Sequence, residues 1–270
     1  MPARPVVLKL GGELLEQPLD LARVARGIAR LSRTAPLVVV HGGGREIDAA
    51  LAVAGIAKEQ VDGLRVTSKP TLDVVVAILG GAINTRLVAA VRRAGARAVG
   101  LTGADASVAT VRRAAPIRSV AGAVVDLGLV GTPTGKESPH LLTSLLKGGY
   151  VPIVACIGAT RTGELLNVNA DTLAAHLATT LRARRLVIAG GTAGVLDGAG
   201  ATIGHLSTRE AARMIKSGAA NKGMVAKLEA CRAALRGGVG DVVIANGREL
   251  RFDTLAGPRA DLRGATQVER

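Results

Sequence analysis

Aromatic side chains are nearly missing from this chain. Its 270 residues include one Tyr, one Phe and no Trp. The core must therefore be built from Val, Leu, Ile and Ala. Stacking of bases on aromatic platforms is all but excluded, which argues against a single-strand nucleic-acid binder. Cysteine is scarce as well. Cys156 and Cys231 lie far apart without metal-ligand spacing, and both read as small core residues. The four histidines, His41, His140, His176 and His205, also lack ligand spacing, so no metal site of protein side chains is expected.

Several familiar patterns are absent. There is no G-x-S-x-G elbow, no H-E-x-x-H and no G-x-G-x-x-G frame. Gly135-Lys136-Glu137 resembles a P-loop fragment but lacks the upstream glycine spacing and the Ser/Thr. The apolar run at the N-terminus is broken by Lys9, which excludes a signal peptide. No segment reads as a membrane span, and a cytoplasmic location is expected.

Acidic residues are outnumbered: 35 Lys and Arg face 21 Asp and Glu, a net charge of +14. The basic residues are scattered, the densest runs being Arg92-Arg93, Arg112-Arg113 and residues 182–185. They read as solvated helix faces and helix ends rather than a nucleic-acid stripe. A field of this sign recruits small anions.

What the chain does have is 48% hydrophobic residues in a regular rhythm. Short apolar runs at residues 5–10, 37–40, 96–101, 150–156, 185–189 and 241–245 read as strands. Helical spacing appears at 19–31, 45–54, 71–94, 139–146, 173–181, 208–215 and 223–235. Alternation of this kind predicts a parallel sheet covered by helices. Residues 107–130 break into short, turn-punctuated β segments. A soft boundary near 158–163 divides two lobes, 1–160 and 161–270, that share one sheet.

Four strings stand at strand ends or helix starts. Lys9-Leu10-Gly11-Gly12 puts a cation and bare backbone after the first strand. Ligands of open parallel sheets bind at such carboxyl ends, and glycine lets phosphate oxygens reach backbone N–H groups. The plain alternative is a strand-end lysine pointing to water. His41-Gly42-Gly43-Gly44 has the same placement after the second strand and can form an anion-binding concavity; His41 itself reads as structural. In Asn167-Val168-Asn169-Ala170-Asp171, Asn169 or Asp171 could be a helix N-cap, yet the set is richer than a cap requires. Gly223-Met224-Val225-Ala226-Lys227 opens a helix with a lysine in its first turns, where a cation is disfavoured unless an anion is near. Gly63-Leu64-Arg65-Val66-Thr67 adds an Arg suited to bidentate carboxylate capture.

Taken together, these strings and Gly100-Leu101-Thr102-Gly103-Ala104-Asp105 resemble the amino-acid kinase superfamily, and within it the acetylglutamate kinases, over nearly the whole chain. The resemblance implies a three-layer αβα sandwich with a mainly parallel central sheet. Residues 1–160 would form a lobe for the acyl amino acid and for dimerisation, and residues 161–270 a lobe for ATP. It implies transfer of phosphate from ATP to the γ-carboxylate of N-acetyl-L-glutamate, with Mg²⁺ bound through the phosphates. Lys9 and Lys227 would stabilise the phosphoryl group, with Asp171 orienting them. Gly43, Gly44, Arg65 and Asn167 would hold the acyl amino acid. Gly11, Gly12, Gly190, Gly191, Gly194, Lys222, Gly223 and Met224 would serve phosphate and nucleotide. Gly190-Gly191 stands where the family commonly carries an Asp, and Lys222 where many members carry Gly. Only eight residues precede Lys9, whereas arginine-inhibited members carry an additional N-terminal helix, so a homodimer without arginine feedback is expected.

Three other readings compete. One is a sister kinase for N-succinylglutamate, or for aminoadipate or glutamate on a carrier protein. Another is a non-catalytic sensor of nucleotide or amino acid. The third, a nucleic-acid binder, rests on charge alone.

Overall fold

The computed structural model describes residues 3–119, 122–135, 139–220, 222–257 and 263–270, and for Lys222 the backbone alone. Its spine is an eight-stranded sheet. The strands are β1 (Val6–Leu10), β2 (Leu37–His41), β3 (Ala98–Thr102), β4 (Val151–Ala155), β5 (Arg185–Gly190), β6 (His205–Ser207), β7 (Asp241–Asn246) and β8 (Ala265–Glu269). They are ordered β6-β8-β7-β5-β1-β2-β4-β3. Neighbours from β7 through β3 run parallel, while β8 is antiparallel to β7 and carries β6 beside it in its own direction.

The helices are α1 (Pro18–Leu31), α2 (Gly44–Val53), α3 (Lys69–Arg93), α4 (His140–Lys147), α5 (Ala170–Thr180), α6 (Thr208–Ser217) and α7 (Lys222–Arg236). Every residue of β1, β2, β4 and β5 is buried. A strand buried on both faces needs helices on both faces, and its sequence then loses the in–out alternation of a half-exposed strand. Here α5 packs on β1, β2 and β5, α7 on β5 and β7, and the end of α3 on β3 and β4. The expected αβα sandwich with a mainly parallel sheet is the architecture found.

A second, four-stranded sheet joins Ile157–Ala159, Leu165–Val168, Val130–Pro133 and Val111–Arg113, in that order. It includes part of the 107–130 region and carries Asn167, paired with Val130 and Ile157. Two small strand pairs, Gln60–Val61 with Leu64–Arg65 and Ile117–Arg118 with Val124–Val125, complete the β-strands of the described residues.

Helix α3 combines unusual length with apolar composition. Its 25 residues are long and apolar enough to cross a membrane by length and composition. The physical reason is that it is apolar on more than one side. Leu72, Val75, Leu79, Ile83 and Leu87 fill the core, and Val74, Val76 and Ile78 pack at its margin. From Ala77 to Ile83 the helix is wound as a π-helix, a local widening frequent beside functional sites. That turn lays Leu79 and Ile83 over Gly43, where a Cβ would collide with Ile83 Cδ1.

Candidate active site

The site forms where β1, β2 and β5 end together. Lys9 pairs in register with Val40 of β2 and Ile188 of β5, so its side chain rises from the middle of the sheet just before the crevice. It is 7% exposed. Such a burial is tolerable only with a counter-charge. Asp171 supplies it: Lys9 Nζ lies 2.9 Å from Asp171 Oδ1. Lys227 Nζ approaches the other oxygen, Oδ2, at 3.8 Å.

The position of Asp171 is set by its neighbour. Asn169 is the N-cap of α5, its Oδ1 accepting from the backbone N–H of Asp171 at 2.9 Å and of Thr172 at 3.0 Å. Asp171 is thereby released from capping and held in the first turn, where the helix end favours a carboxylate. Burial alone would push the Asp171 carboxyl up, but the ammonium groups of Lys9 and Lys227 outweigh it and hold it below the usual carboxylate range. Burial would likewise pull the Lys9 ammonium down; Asp171, with a contribution from Glu13, keeps it above its ordinary value. Lys9 therefore stays charged in a site nearly cut off from water.

The glycines of the two loops meet. A Cβ on Gly12 would lie 2.8 Å from the Gly43 Cα, so the β1 and β2 loops touch through bare backbone. Beneath them, buried His41 ties the second loop to α3. Asn84 Nδ2 donates to His41 Nε2 at 3.1 Å and to the Ile153 carbonyl at 3.0 Å. With Nε2 accepting, the proton sits on Nδ1, which faces the Gly42 carbonyl at 3.2 Å. Burial pushes the His41 imidazole pKa down to about 4, so the ring is neutral and structural. Asn84 escaped the sequence reading, although a lone Asn amid an apolar helix is a usable signal.

A cavity of about 210 Å³ opens beside this loop, lined by Gly43, Gly44, Arg65, Cys156, Asn167 and Asn169 among others. Arg65 is held in its wall by an ion pair with Asp48 and by a 3.3 Å bond from Nη2 to the Gly44 carbonyl. Its Nη1 is buried without a hydrogen-bond partner. A buried guanidinium N–H without a partner is costly, and it belongs to a side chain that lines the cavity. Asn167 donates to Thr67 Oγ1 at 3.2 Å and faces the same cavity. Cys156, also in the wall, is pushed up to about 12 by burial and stays a thiol. A larger cleft of about 840 Å³ extends from Asn169, Asp171 and Lys227 past Gly223.

The structure thus brings together Lys9, Asp171, Lys227, Gly11, Gly12, Gly43, Gly44, Arg65 and Asn167. Gly223 and Met224 stand on the first turn of α7, Gly223 on the cleft and Met224 packed against the core. The side chain of Lys222 lies outside the described residues. Gly194 has φ +83°, and a Cβ there would also crowd the Thr266 backbone N at 2.8 Å, so the fold itself demands glycine. At Gly190-Gly191 a carboxylate is present after all. It belongs to Glu13, whose Oε1 accepts from the Gly191 N–H at 2.7 Å. Glu13 was not foreseen from sequence. Among the described residues no cluster of His, Cys, Asp and Glu could by itself hold a metal ion.

Comparison with known proteins agrees with this arrangement. The sequence model described as "Amino acid kinase family" matches residues 4–246. The acetylglutamate kinase of Caulobacter sp. (strain K31) is 41% identical over 255 residues, covering 90% of this chain and 83% of the relative. That of Roseobacter denitrificans is 39% identical over 244 residues, covering 90% and 82%. Among solved structures, N-acetylglutamate synthase from Neisseria gonorrhoeae, complexed with coenzyme A and N-acetyl-glutamate, superposes with TM-score 0.82 at 25% identity. It covers all of this chain, which spans 60% of the synthase. Giardia carbamate kinase shares the fold with TM-score 0.68 at 15% identity, each chain covered in full. With the family model spanning most of its length and relatives this similar over nine-tenths of it, the chain belongs to the amino acid kinase family.

Proposed function

We propose that this protein transfers the γ-phosphoryl group of ATP to the side-chain carboxylate of N-acetyl-L-glutamate, giving ADP and N-acetyl-γ-glutamyl phosphate, a step of arginine biosynthesis. The observation that carries the reading is the Lys9–Asp171–Lys227 bridge at the strand ends, between a glycine-walled crevice and the cavity that Arg65 and Asn167 line. Named relatives support the choice of acceptor.

The chemistry needs little beyond position and charge. The nucleophile is a carboxylate, ionised at neutral pH, so no general base is required. Lys9 and Lys227 meet the charge that develops on the transferring group from two sides, and Asp171 fixes both. Backbone N–H groups at Gly12, Gly43 and Gly44 offer donors without side-chain bulk; Gly11, whose N–H already donates to the Ala189 carbonyl at 2.8 Å, contributes room rather than a donor. Gly190, Gly191, Gly194, Lys222, Gly223 and Met224 belong to the nucleotide end. Arg65 would take the α-carboxylate and Asn167 the remaining polar atoms of the acyl amino acid. Mg²⁺ accompanying ATP would offset the charge of its phosphates. In this reading residues 1–160 bind the acyl amino acid and residues 161–270 the nucleotide, and the protein works in the cytoplasm, where ATP is held.

The reading also includes a homodimer formed through α3. In its most apolar stretch only 39% is buried inside the chain. Ala77, Gly81, Ala82 and Ala89 are exposed beside part-buried Val74 and Ile78. Small and apolar residues on an open helix face suit close packing with a second copy.

The test is a hydroxylamine trap for acyl phosphate with Mg-ATP, run with N-acetylglutamate, N-succinylglutamate, free glutamate and aminoadipate. Signal with N-acetylglutamate well above the others is expected. Signal with another acceptor alone would replace the substrate, and silence with all four would remove N-acetylglutamate as acceptor and leave a carrier-linked substrate or a non-catalytic sensor.

A further inference from the structure

We propose that Glu13 is the chain's own ligand for the divalent cation that travels with the nucleotide phosphates, and that it makes the site select metal-bound over free nucleotide. This rests on reading the site as an ATP-dependent kinase.

Glu13 lies in the short turn Gly12–Leu14 that follows β1. Its carboxylate folds back over the loop. A Cβ on Gly11 would collide with both carboxylate oxygens, and one on Gly190 would stand 3.1 Å from Oε1. The glycines at 11 and 190 thus leave room for this group, and Gly191 N–H holds it at 2.7 Å. The carboxylate sits between the carboxyl ends of β1 and β5, neighbours at the centre of the sheet.

Its electrostatic setting is unusual for that crevice. Asp171 is committed to two lysines. Glu13, by contrast, makes no ion pair among the described residues. Arg248 is near, but Nη2 donates to the Glu13 backbone carbonyl at 3.2 Å and Nε to Asp20 at 2.8 Å. Arg248 therefore anchors the turn and lends the carboxylate a nearby positive charge without forming an ion pair with it.

A carboxylate outside any ion pair, held by the Gly191 N–H and steadied by the charges of Lys9 and Arg248 nearby, still repels a bare triphosphate. A hard dication reverses the sign, because it takes oxygen ligands from carboxylate and phosphate together. Magnesium in nucleotide sites is commonly held by one or two carboxylates plus the phosphates, and Glu13 presents a hard oxygen donor where the strands end. A lone carboxylate could instead merely fill the anion cradle, and the two roles differ in what a neutral replacement does.

The experiment is calorimetric binding of ATP to the full chain, once with Mg²⁺ and once with EDTA, for the wild type, Glu13→Gln and Glu13→Asp. Gln keeps the bond from Gly191 N–H and the shape, and thermal melting checks the fold. The wild type is expected to prefer Mg-ATP to free ATP by about tenfold or more, and Glu13→Gln to lose most of that preference through weaker Mg-ATP binding. Glu13→Asp, which keeps the charge, is expected to keep part of it. An unchanged preference in Glu13→Gln would overturn the proposal, as would tighter binding of both forms by one factor, the mark of a plug. Absence of ATP binding by the wild type would overturn the kinase reading and this inference with it.

Discussion

Lys9 and Asp171 form an ion pair 2.9 Å long in which both side chains are less than a tenth exposed. Lys9 comes from the first strand and Asp171 from the helix that packs on it, so the pair ties the start of the chain to its second half. Such a pair contributes little net stability, because desolvating two charges offsets most of their attraction. Removing one partner is another matter: the remaining buried charge costs about 3–5 kcal/mol. An interaction that is neutral for folding and costly to break is best understood through what it prepares, a fixed ammonium group at the carboxyl end of the sheet.

Lys227 should therefore separate from Lys9 and Asp171 in experiment. Lys9→Ala and Lys227→Ala are each expected to lower kcat by roughly 10²–10³, the loss of one electrostatic contact in a transition state. Lys227 is 21% exposed and pairs with Asp171 only at 3.8 Å, so its variant should melt near the wild type. Asp171→Ala should lose activity and also melt lower, since it leaves two ammonium groups facing each other. Steady-state kinetics beside thermal melts would check this, and near-normal turnover in both lysine variants would remove their assigned role.

A pH effect follows from His41. Its pKa is pushed down to about 4 by burial, against about 6.5 in an unfolded chain. Between these values the unfolded chain binds a proton that the folded chain refuses, so stability falls as pH drops through that window. From pH 7.5 to pH 5 the loss should be about 2 kcal/mol. Asp171, held below the usual carboxylate range, keeps its contribution throughout and loses it only at lower pH. Urea unfolding at the two pH values should show this slope in the wild type and its loss in His41→Gln. Equal slopes would contradict it.

How much of this was readable from the sequence differs by element. Central strands were legible because burial on both faces makes them continuous apolar runs, and β1, β2 and β5 run into glycines at the crevice. Lys9, Asp171 and Lys227 stood out as charges at strand ends and helix starts. The edge strands β6 and β8 were not legible: His205–Ser207 is three residues long, and Ala265–Glu269 is too polar to signal burial. Leu165–Val168 was hidden because it belongs to a second sheet of short strands whose pairing is long-range. Whether Asn169 or Asp171 capped α5 was undecidable from residue type, since both are good caps; geometry assigns it to Asn169. Glu13 gave no signal, because a carboxylate after a glycine pair is ordinary until the strand 177 residues later is seen to end beside it, at Gly190.

The glycine triplet offers a comparison of two neighbours. A Cβ on Gly43 would strike Ile83 and come within 2.9 Å of Leu79, both in the core. Gly43→Ala should lower stability by about 1–3 kcal/mol through overpacking. At Gly44 nothing lies within 4 Å of a would-be Cβ, so Gly44→Ala should fold as the wild type. Its methyl group would protrude toward the Arg65 cavity that Gly44 lines, and KM for the acyl amino acid should rise while KM for ATP holds. Thermal melts and kinetics on the two variants would check both halves. An equally unstable Gly44→Ala would show that the triplet serves packing alone.

The exposed side of α3 gives the last test. A helix that is apolar all round is normally buried all round, yet Ala77, Gly81 and Ala82 of α3 remain exposed. A second copy packing helix on helix would cover them, and small residues would let the two backbones approach closely. Light scattering coupled to size exclusion should give the wild type as twice the chain mass. Ala77→Glu and Gly81→Glu place a carboxylate in that contact, where burial without a partner is costly. Gly81 has open space around its would-be Cβ within the single chain, so the fold should survive the change. Both variants are expected to run as monomers, with Lys9 and Asp171 unaffected because they lie on β1 and α5 rather than on α3. A wild type that runs as a monomer, or variants that remain dimers, would move the interface off this helix.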